Sequence, residues 1–188
     1  MKRILKKIKR VLTDSKFGRK GKCVRIKKPM LIIGKRNMYI GDSVRFLDNS
    51  RIETVSTWKN QTFTPRLFIG NNTTFEQNAH IIACGDLSIG SNCVFSAFVY
   101  VSDCNHGLDV TNWVMDNPLE YKKTKIGDYC FVGIGARIMP GVILGNHCVV
   151  GANSVVTKSF PDYSMIAGNP ARLIKKFDPE TKQWIKVE

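Results

Sequence analysis

Histidine side chains are the first candidates for chemistry in this sequence, because their pKa lies close to neutral pH. A group that removes a proton from a hydroxyl or an amine at neutral pH has to titrate in this range. The 188 residues contain three histidines, His80, His106 and His147. His106 stands directly before residues 107–125, a segment that interrupts the six-residue repeat described below. We therefore expect the ring of His106 to face a cleft.

Cysteine is the second residue type that could do chemistry, and the chain has six: Cys23, Cys84, Cys93, Cys104, Cys130 and Cys148. No pair has the C-x-x-C spacing of zinc ribbons or thioredoxin-like redox sites. The sequence shows no secretory signal, so we expect reduced thiols in a cytoplasmic compartment. Cys93, Cys130 and Cys148 share one position of the repeat described next, and we predict that they pack in the core as small hydrophobes.

The elements that position these side chains are predicted by a repeat of six residues. From residue 126 an apolar residue recurs at every sixth position, at Ile126, Val132, Ile138, Leu144, Val150 and Val156. The same phase returns upstream in blocks led by Ile40, Ile69 and Ile89. A period of six fits neither a helix nor a simple alternating strand, and it predicts a parallel β-helix in which each hexapeptide forms one flat side. Three sides make one coil, and the repeat predicts about five coils with a spacing of about 4.8 Å between adjacent coils.

The repeat divides the chain into three predicted parts. They are a basic arm over 1–28, a β-helix domain over 29–161 with a long loop insertion at 107–125, and a tail over 162–188. Within the tail, Asp178 is predicted to begin a short helix that contains Trp184. A solenoid needs both of its ends covered, and we expect the arm and this helix to cover them.

The net charge of +14 is concentrated in the arm, where thirteen Lys and Arg accompany one acid, while the other 160 residues are nearly neutral. Apolar residues in the arm have helical spacing and predict an amphipathic helix with a cationic face. Such a helix either lies on an anionic membrane surface or packs on its own body. No stacking aromatics accompany these cations, so we expect no nucleic-acid partner. No apolar run approaches the ~18 residues of a membrane-spanning helix, and we expect a cytoplasmic protein at the inner face of the membrane.

Several motifs together resemble the hexapeptide-repeat acyltransferases. They are the Ile-Gly hexapeptides, DCNHG at 103–107, VGANSVVTK at 150–158 and AGNPARLIKKF at 167–177. Within that family, the chain is similar to the maltose/galactoside-type and the O-antigen and capsule sugar O-acetyltransferases. The resemblance covers roughly residues 30–177. It implies an all-β fold, a left-handed parallel β-helix with short helices at the N- and C-termini of this chain, and a homotrimer with active sites between chains.

The resemblance also implies the reaction. An acceptor hydroxyl attacks the thioester of acetyl-CoA directly, without an acyl-enzyme and without a metal, and His106 is the general base. Asp103 or Asn105 either orients the ring of His106, as base-orienting groups do, or serves as a turn residue. Many relatives carry a second histidine where this chain has Cys104, so a site with two histidines is not expected here.

For acetyl-CoA, the resemblance implies backbone donors near Gly133 and Ile134 for the thioester oxygen, and Arg172 for a phosphate. The full set of implied cofactor contacts is Phe131, Gly133, Ile134, Ala152, Thr157, Lys158, Arg172 and Lys175. For the sugar or glycan acceptor the implied residues are Asn78, Trp113, Met115 and Tyr121. Trp113 and Met115 have a second interpretation as anchors of the loop on a neighbouring chain.

Two classes of function remain open. The first is acetyl-CoA-dependent O-acetylation of a sugar hydroxyl in bacterial surface polysaccharide or lipopolysaccharide biosynthesis, with N-acetylation of an amino sugar or antibiotic amine as its alternative. The second is a non-catalytic or metal-dependent β-helix protein. A zinc site of three histidines is disfavoured, because His80, His106 and His147 are 26 and 41 residues apart and lie on different sides of different coils. We expect His147 to point into solvent and His80 to be structural or at a rim.

Overall fold

The computed structural model describes residues 16–187, and over this range the chain winds into a parallel β-helix with three flat sides. Helical structure within the described range is confined to two short 3-10 turns, Lys35–Asn37 and Val114–Asp116. No helix of the described residues is long and apolar enough to cross a membrane. The all-β prediction is therefore confirmed.

Each side of the β-helix is one sheet of stacked short strands. The first side consists of β1 (Arg19–Lys20), β4 (Met38–Ile40), β9 (Arg66–Ile69), β12 (Asp86–Ile89), β17 (Thr124–Ile126) and β20 (Ile143–Leu144). The third side consists of β3 (Leu31–Ile33), β6 (Arg51–Thr54), β11 (His80–Ala83), β14 (Tyr100–Ser102), β19 (Arg137–Ile138) and β22 (Val155–Val156). The second side consists of β2 (Arg25–Ile26), β5 (Arg45–Phe46), β10 (Thr74–Phe75), β13 (Val94–Phe95), β18 (Phe131–Val132), β21 (Val149–Val150), β23 (Ser164–Gly168), β24 (Ala171–Asp178) and β25 (Gln183–Lys186).

The hexapeptide pattern maps directly onto the core. Every apolar residue at the first position of a hexapeptide is buried, with at most 3% of its surface exposed. Because parallel coils stack in register, equivalent side chains form columns. Phe46, Phe75 and Phe95 form one such column, with ring centroids 4.4 Å and 4.6 Å apart.

The three cysteines of the repeat also lie where the pattern placed them. Cys93, Cys130 and Cys148 are buried and free, and they join the main hydrophobic core. Their thiols donate to backbone carbonyl oxygens of the neighbouring coil, for example Cys93 Sγ to Gly127 at 3.2 Å and Cys130 Sγ to Gly145 at 3.2 Å. The prediction that they are core residues is confirmed.

The predicted C-terminal helix is wrong. Gln183–Lys186 is a strand that pairs antiparallel with Ala171–Asp178, and Trp184 packs edge-on against Phe177 at 5.3 Å. Burial along β24 alternates with a period of two, which is the pattern of a strand. Asp178 does not start a helix, because its carboxylate accepts the N–H of Glu180 at 2.9 Å and fixes the turn between the two strands.

The N-terminal part of the β-helix begins earlier than the predicted boundary at residue 29. Strands β1 and β2 already pair with β4 and β5, so residues 19–26 belong to the first coil. Phe17, Val24 and Ile26 pack against the main core, which explains why this segment joins the solenoid. The amphipathic helix predicted at residues 4–12 lies outside the described residues.

Two hairpins leave the β-helix at the same corner, between its third and first sides. One is β7 (Thr57–Trp58) with β8 (Gln61–Thr62), and the other is β15 (Cys104–His106) with β16 (Leu119–Tyr121), which closes the predicted loop insertion. The side chain of Gln61 donates to the carbonyl oxygen of Leu119 at 3.2 Å and accepts its N–H at 2.7 Å. The base of the loop is thus fixed by contacts within one chain.

Candidate active site

His106 ends strand β15, at the base of the loop insertion. Its half-buried ring meets the ring of Trp58 edge-on, with centroids 4.9 Å apart and planes inclined by 70°. The indole N–H of Trp58 donates to the carbonyl oxygen of Asn117 at 3.1 Å, which fixes the indole against the loop. The hairpin β7–β8 therefore forms a wall that holds the imidazole in place.

The ring of His106 opens into a cleft of about 360 Å³, which we call the His106 cleft. Its floor is the outer face of the third side, where Arg51, Glu53 and Tyr100 contribute to the lining. Arg51 Nε donates to Glu53 at 3.1 Å, so these two charges largely neutralise each other. The cleft therefore presents a half-buried imidazole beside an aromatic wall and a paired guanidinium.

The Nδ1 atom of His106 is shielded from solvent and has no hydrogen-bond partner among residues 16–187. A buried polar atom without a partner is unfavourable, and histidines that act as bases are usually oriented by a hydrogen bond to the second nitrogen. In this chain the described contact that orients the ring is the packing of Trp58.

The structure separates the two interpretations of Asp103. The carboxylate is fully buried and accepts the backbone N–H groups of Cys84 at 2.7 Å and Gly85 at 2.8 Å. Burial raises the pKa of this carboxyl, while the two N–H donors oppose the rise. Both oxygens are thus committed to the corner from which β15 departs, and the predicted role in orienting His106 is wrong for Asp103. Asn105 is exposed beside His106, and no described hydrogen bond joins its side chain to the ring.

Neither of the other two histidines is among the residues that line the His106 cleft. His147 is exposed at a corner and stacks between Tyr129 and Tyr163, with ring centroids 4.8 Å and 5.0 Å away. His80 lies on the third side in register with Tyr100, and burial and then the charge of Arg51 lower the pKa of its imidazole.

The three histidines do not converge within the described residues of one chain. Over residues 16–187, the one group of three ligand-type side chains close enough to hold a metal is Cys84, Asp103 and Cys104.

Among the residues implied for acetyl-CoA, the structure changes the assignment at Gly133. Its N–H donates to the carbonyl oxygen of Val150 at 2.8 Å, as part of the stacking of coils, so it is not free to bind a thioester oxygen. The N–H of Ile134 has no acceptor among the described residues and remains the available donor. A side chain at Gly133 would meet the backbone nitrogen of Ala152 at 2.7 Å, which explains the glycine.

The rest of the implied cofactor set is dispersed along later coils. Six of the eight residues are exposed, namely Phe131, Ile134, Ala152, Thr157, Lys158 and Arg172, and Lys175 is half-buried within β24. None of the eight lines the His106 cleft as the described residues form it. A single chain therefore presents the base and the implied cofactor contacts on separate surfaces.

The residues implied for the acceptor do not form one wall within this chain. Trp113 and Met115 are exposed on the loop, and Asn78 lines a shallow pocket at another corner. Tyr121 packs edge-on against Phe63 and lines a second cleft of about 510 Å³ on the opposite side of β7–β8. A single chain does not bring these four side chains together, and their role in acceptor binding stays a prediction.

Sequence reasoning missed Trp58 and the outward residues of the third side. The signal for the hairpin β7–β8 was present, since the six-residue phase breaks between residues 58 and 68. The break does not reveal that this segment packs against a histidine 48 residues later, because that contact depends on the register of the coils.

Comparisons with known proteins agree with this architecture. Residues 123–158 match the family profile described as bacterial transferase hexapeptide (six repeats). The protein named "Putative lipopolysaccharide biosynthesis O-acetyl transferase WbbJ" from Escherichia coli (strain K12) is 36% identical over 129 residues, which cover 64% of this chain and 66% of that protein.

Two solved structures have the same fold. A variant of AntD, an N-acyltransferase from Bacillus cereus in complex with dTDP and coenzyme A, gives a TM-score of 0.69 at 18% identity, covering 91% of this chain and 89% of that chain. A maltose O-acetyltransferase from Clostridium difficile 630 gives a TM-score of 0.56 at 25% identity, covering 86% of this chain and 71% of that chain.

The chain spans between about a third and two thirds of the length of the first curated relatives that it matches. The hexapeptide profile, the three-sided coils and the solved structures of the same fold agree on one architecture, a left-handed parallel β-helix. The chain thus resembles the hexapeptide-repeat acyltransferases, and its residues 123–158 carry the repeats of that family.

Proposed function

We propose that this protein transfers an acetyl group from acetyl-CoA to a sugar hydroxyl in the synthesis of a bacterial surface polysaccharide or lipopolysaccharide. The observation that carries the proposal is the half-buried imidazole of His106, which opens into a cleft at the base of a braced loop. Functional groups commonly lie on loops that a rigid scaffold positions, and here the scaffold is a β-helix that carries the hexapeptide repeats of bacterial transferases.

The mechanism uses His106 as the general base. The imidazole accepts the proton of the acceptor hydroxyl while the oxygen attacks the thioester carbon, and the N–H of Ile134 stabilises the oxyanion that forms. The carbon–sulfur bond then breaks, and the imidazolium returns the proton to the departing thiolate of CoA. Trp58 holds the ring during both transfers, and no metal takes part in this scheme.

The homotrimer with sites between chains is part of the same proposal. The His106 cleft and the implied cofactor residues lie on separate surfaces of one chain, so a neighbouring chain is needed to bring them together. Large apolar side chains on the second side and at the corner after it support such an interface, because Val94, Phe98, Phe131 and Ile134 are 39–59% exposed. A ligand or a neighbouring chain would also supply the missing partner of His106 Nδ1.

The cytoplasmic location remains a proposal as well. Five of the six cysteines are buried as free thiols, and Cys84 and Cys104 lie close together without a disulfide bond. Reduced thiols of this kind persist in a reducing compartment.

The test is transfer of labelled acetyl from acetyl-CoA to sugars, nucleotide sugars, amino sugars and chloramphenicol. His106→Ala is compared with the control variant His147→Asn, since His147 has φ 57°, a conformation that asparagine adopts readily. We expect label on a hydroxyl, lost in His106→Ala and kept in His147→Asn. Label on an amine would show that the activity is N-acetylation and not O-acetylation. Failure to bind acetyl-CoA would refute the proposal.

A further inference from the structure

The first coil of the β-helix, residues 16–33, forms one end of the solenoid, and we call it the terminal coil. Its strands β1, β2 and β3 are each the outermost strand of one side. The coil has seven cationic side chains and no acidic ones, and all seven are exposed: Lys16, Arg19, Lys20, Lys22, Arg25, Lys27 and Lys28. The charge that the sequence assigns to a separate arm is thus in part built into the rigid body of the protein.

These cations have no ionic partners among the described residues. The three ion pairs of residues 16–187 are Arg51–Glu53, Lys59–Asp116 and Arg66–Asp86, all in other coils. Asp42, in the next coil, accepts the backbone N–H of Lys22 and not a lysine side chain. Within residues 16–187, no acidic side chain pairs with the cations of the terminal coil.

The remainder of the described chain is close to neutral, since residues 34–187 contain 16 Lys and Arg against 13 Asp and Glu. The asymmetry places a local field at one end of the molecule, and it does not make the whole protein a polycation. Six more cations, in residues 1–15, precede the terminal coil in the sequence.

We propose that the terminal coil docks this protein on an anionic phospholipid surface. The sides of one coil are about 20 Å long, from six residues at about 3.3 Å each, so the seven cations lie along the rim of a broad end and not along a groove. Met30, which is 55% exposed on the same coil, adds an apolar contact.

A nucleic-acid partner fits this surface less well, because proteins that bind single strands add stacking aromatics to their cations. The one aromatic residue of the terminal coil, Phe17, is half-buried and packs against the core. The inference does not depend on the proposed acetyl transfer, although a membrane-bound glycan acceptor would be met at the same surface.

The experiment is co-sedimentation of the full chain with vesicles of phosphatidylglycerol and phosphatidylcholine, compared with vesicles of phosphatidylcholine alone. The test variant is Lys22→Gln/Arg25→Gln/Lys27→Gln. The control variant is Lys176→Gln/Lys182→Gln/Lys186→Gln, which removes the same charge from exposed positions of the C-terminal hairpin, at the opposite end of the solenoid.

Each cation near an anionic surface strengthens partitioning about fivefold, so we expect the test variant to bind about a hundredfold more weakly at low salt. The control variant is expected to bind like the natural protein, and added salt is expected to weaken binding in both. Thermal unfolding of each variant checks that the fold is kept.

Three results would overturn the inference. One is equal binding to the two kinds of vesicle, and another is equal loss in the two variants, which would make net charge alone responsible. The third is undiminished binding of the test variant, which would assign the surface to residues 1–15. Vesicle binding without any acetyl transfer would leave this inference standing and count only against the proposed function.

Discussion

Replacing Trp58 gives the sharpest test of how the candidate base is held. The indole packs edge-on against the imidazole of His106, with ring centroids 4.9 Å apart. Its N–H donates to the carbonyl oxygen of Asn117, a residue only 2% exposed. Trp58→Ala removes both contacts but leaves His106 itself unchanged. Trp58 is a positioning residue, so the variant separates placement of the base from its presence.

The magnitude follows from the two contacts. An edge-to-face ring pair contributes about 0.5–1.5 kcal/mol, and a buried carbonyl oxygen left without a donor costs about 1–3 kcal/mol. We therefore expect Trp58→Ala to lower the free energy of unfolding by about 2–4 kcal/mol. Misplacement of a catalytic group by about 1 Å costs about a hundredfold in rate, so we expect kcat for acetyl transfer to fall by about that factor.

The assay measures kcat and KM for acetyl-CoA together with urea unfolding. We expect KM for acetyl-CoA to stay the same, because Trp58 is not among the implied cofactor contacts. Trp58→Phe keeps a ring against His106 and loses the N–H donor, so it should regain most of kcat while remaining less stable. Leu108→Ala is the control, since Leu108 is 85% exposed on the same loop and has no implied role in binding.

The reasoning is refuted if Trp58→Ala is destabilised but keeps its kcat, because His106 would then not depend on this wall. It is also refuted if Trp58→Phe is as slow as Trp58→Ala, or if Leu108→Ala has the same effect on kcat.

Three further outcomes follow from the fold. Phe75→Ala, in the middle of the buried ring column, should lower the free energy of unfolding by about 3–5 kcal/mol in urea, while Val110→Ala, 93% exposed on the loop, should change it by less than about 0.5 kcal/mol. Gly133→Ala should cost about 1–3 kcal/mol in the same assay, because its Cβ would lie 2.7 Å from the backbone nitrogen of Ala152; an unchanged midpoint would contradict the close packing of these coils. Burial raises the pKa of Asp103, so the native state binds a proton on this carboxyl more tightly than the unfolded state does. The resulting contribution to the free energy of unfolding is lost as pH rises from 3.8 through the raised pKa. Asp103→Asn should lack this part of the pH dependence when unfolding is measured across that window, and identical pH profiles would disprove the assignment.

The β-helix itself is predictable because its signal is local and repeated. Every sixth residue from 126 to 156 enters the core, so a single phase accounts for six buried positions. Position five predicts the small buried thiols of Cys93, Cys130 and Cys148 for the same reason.

The C-terminal hairpin shows where local signals compete. Asp178 followed by proline is typical of a helix start, but burial alternates along Ala171–Asp178, with Leu173 and Phe177 more buried than the residues before them, as in a strand. The alternation prevails, because β24 can extend the second side of the β-helix and cover the open end of the core, with Trp184 packed on Phe177.

The candidate site is predictable only in part. The location of His106 at the start of the loop follows from the broken repeat, and the structure places the residue there. Its contact with Trp58 could not be read from the sequence, because it joins two interruptions of the repeat. The implied cofactor residues could not be assembled either, since a single chain places them on a different surface from the base.

The two hairpins leave the solenoid at one corner, so the number of coils between them sets the distance between Trp58 and His106. Hairpin β7–β8 follows β6 and hairpin β15–β16 follows β14, so two coils separate their stems. Coils come only in whole numbers, and each adds about 4.8 Å. Coils added beyond either stem would lengthen the protein without moving Trp58 relative to His106. One coil added between the stems would separate Trp58 from His106 and abolish their contact. The proposed chemistry therefore fixes the spacing of these two interruptions along the solenoid.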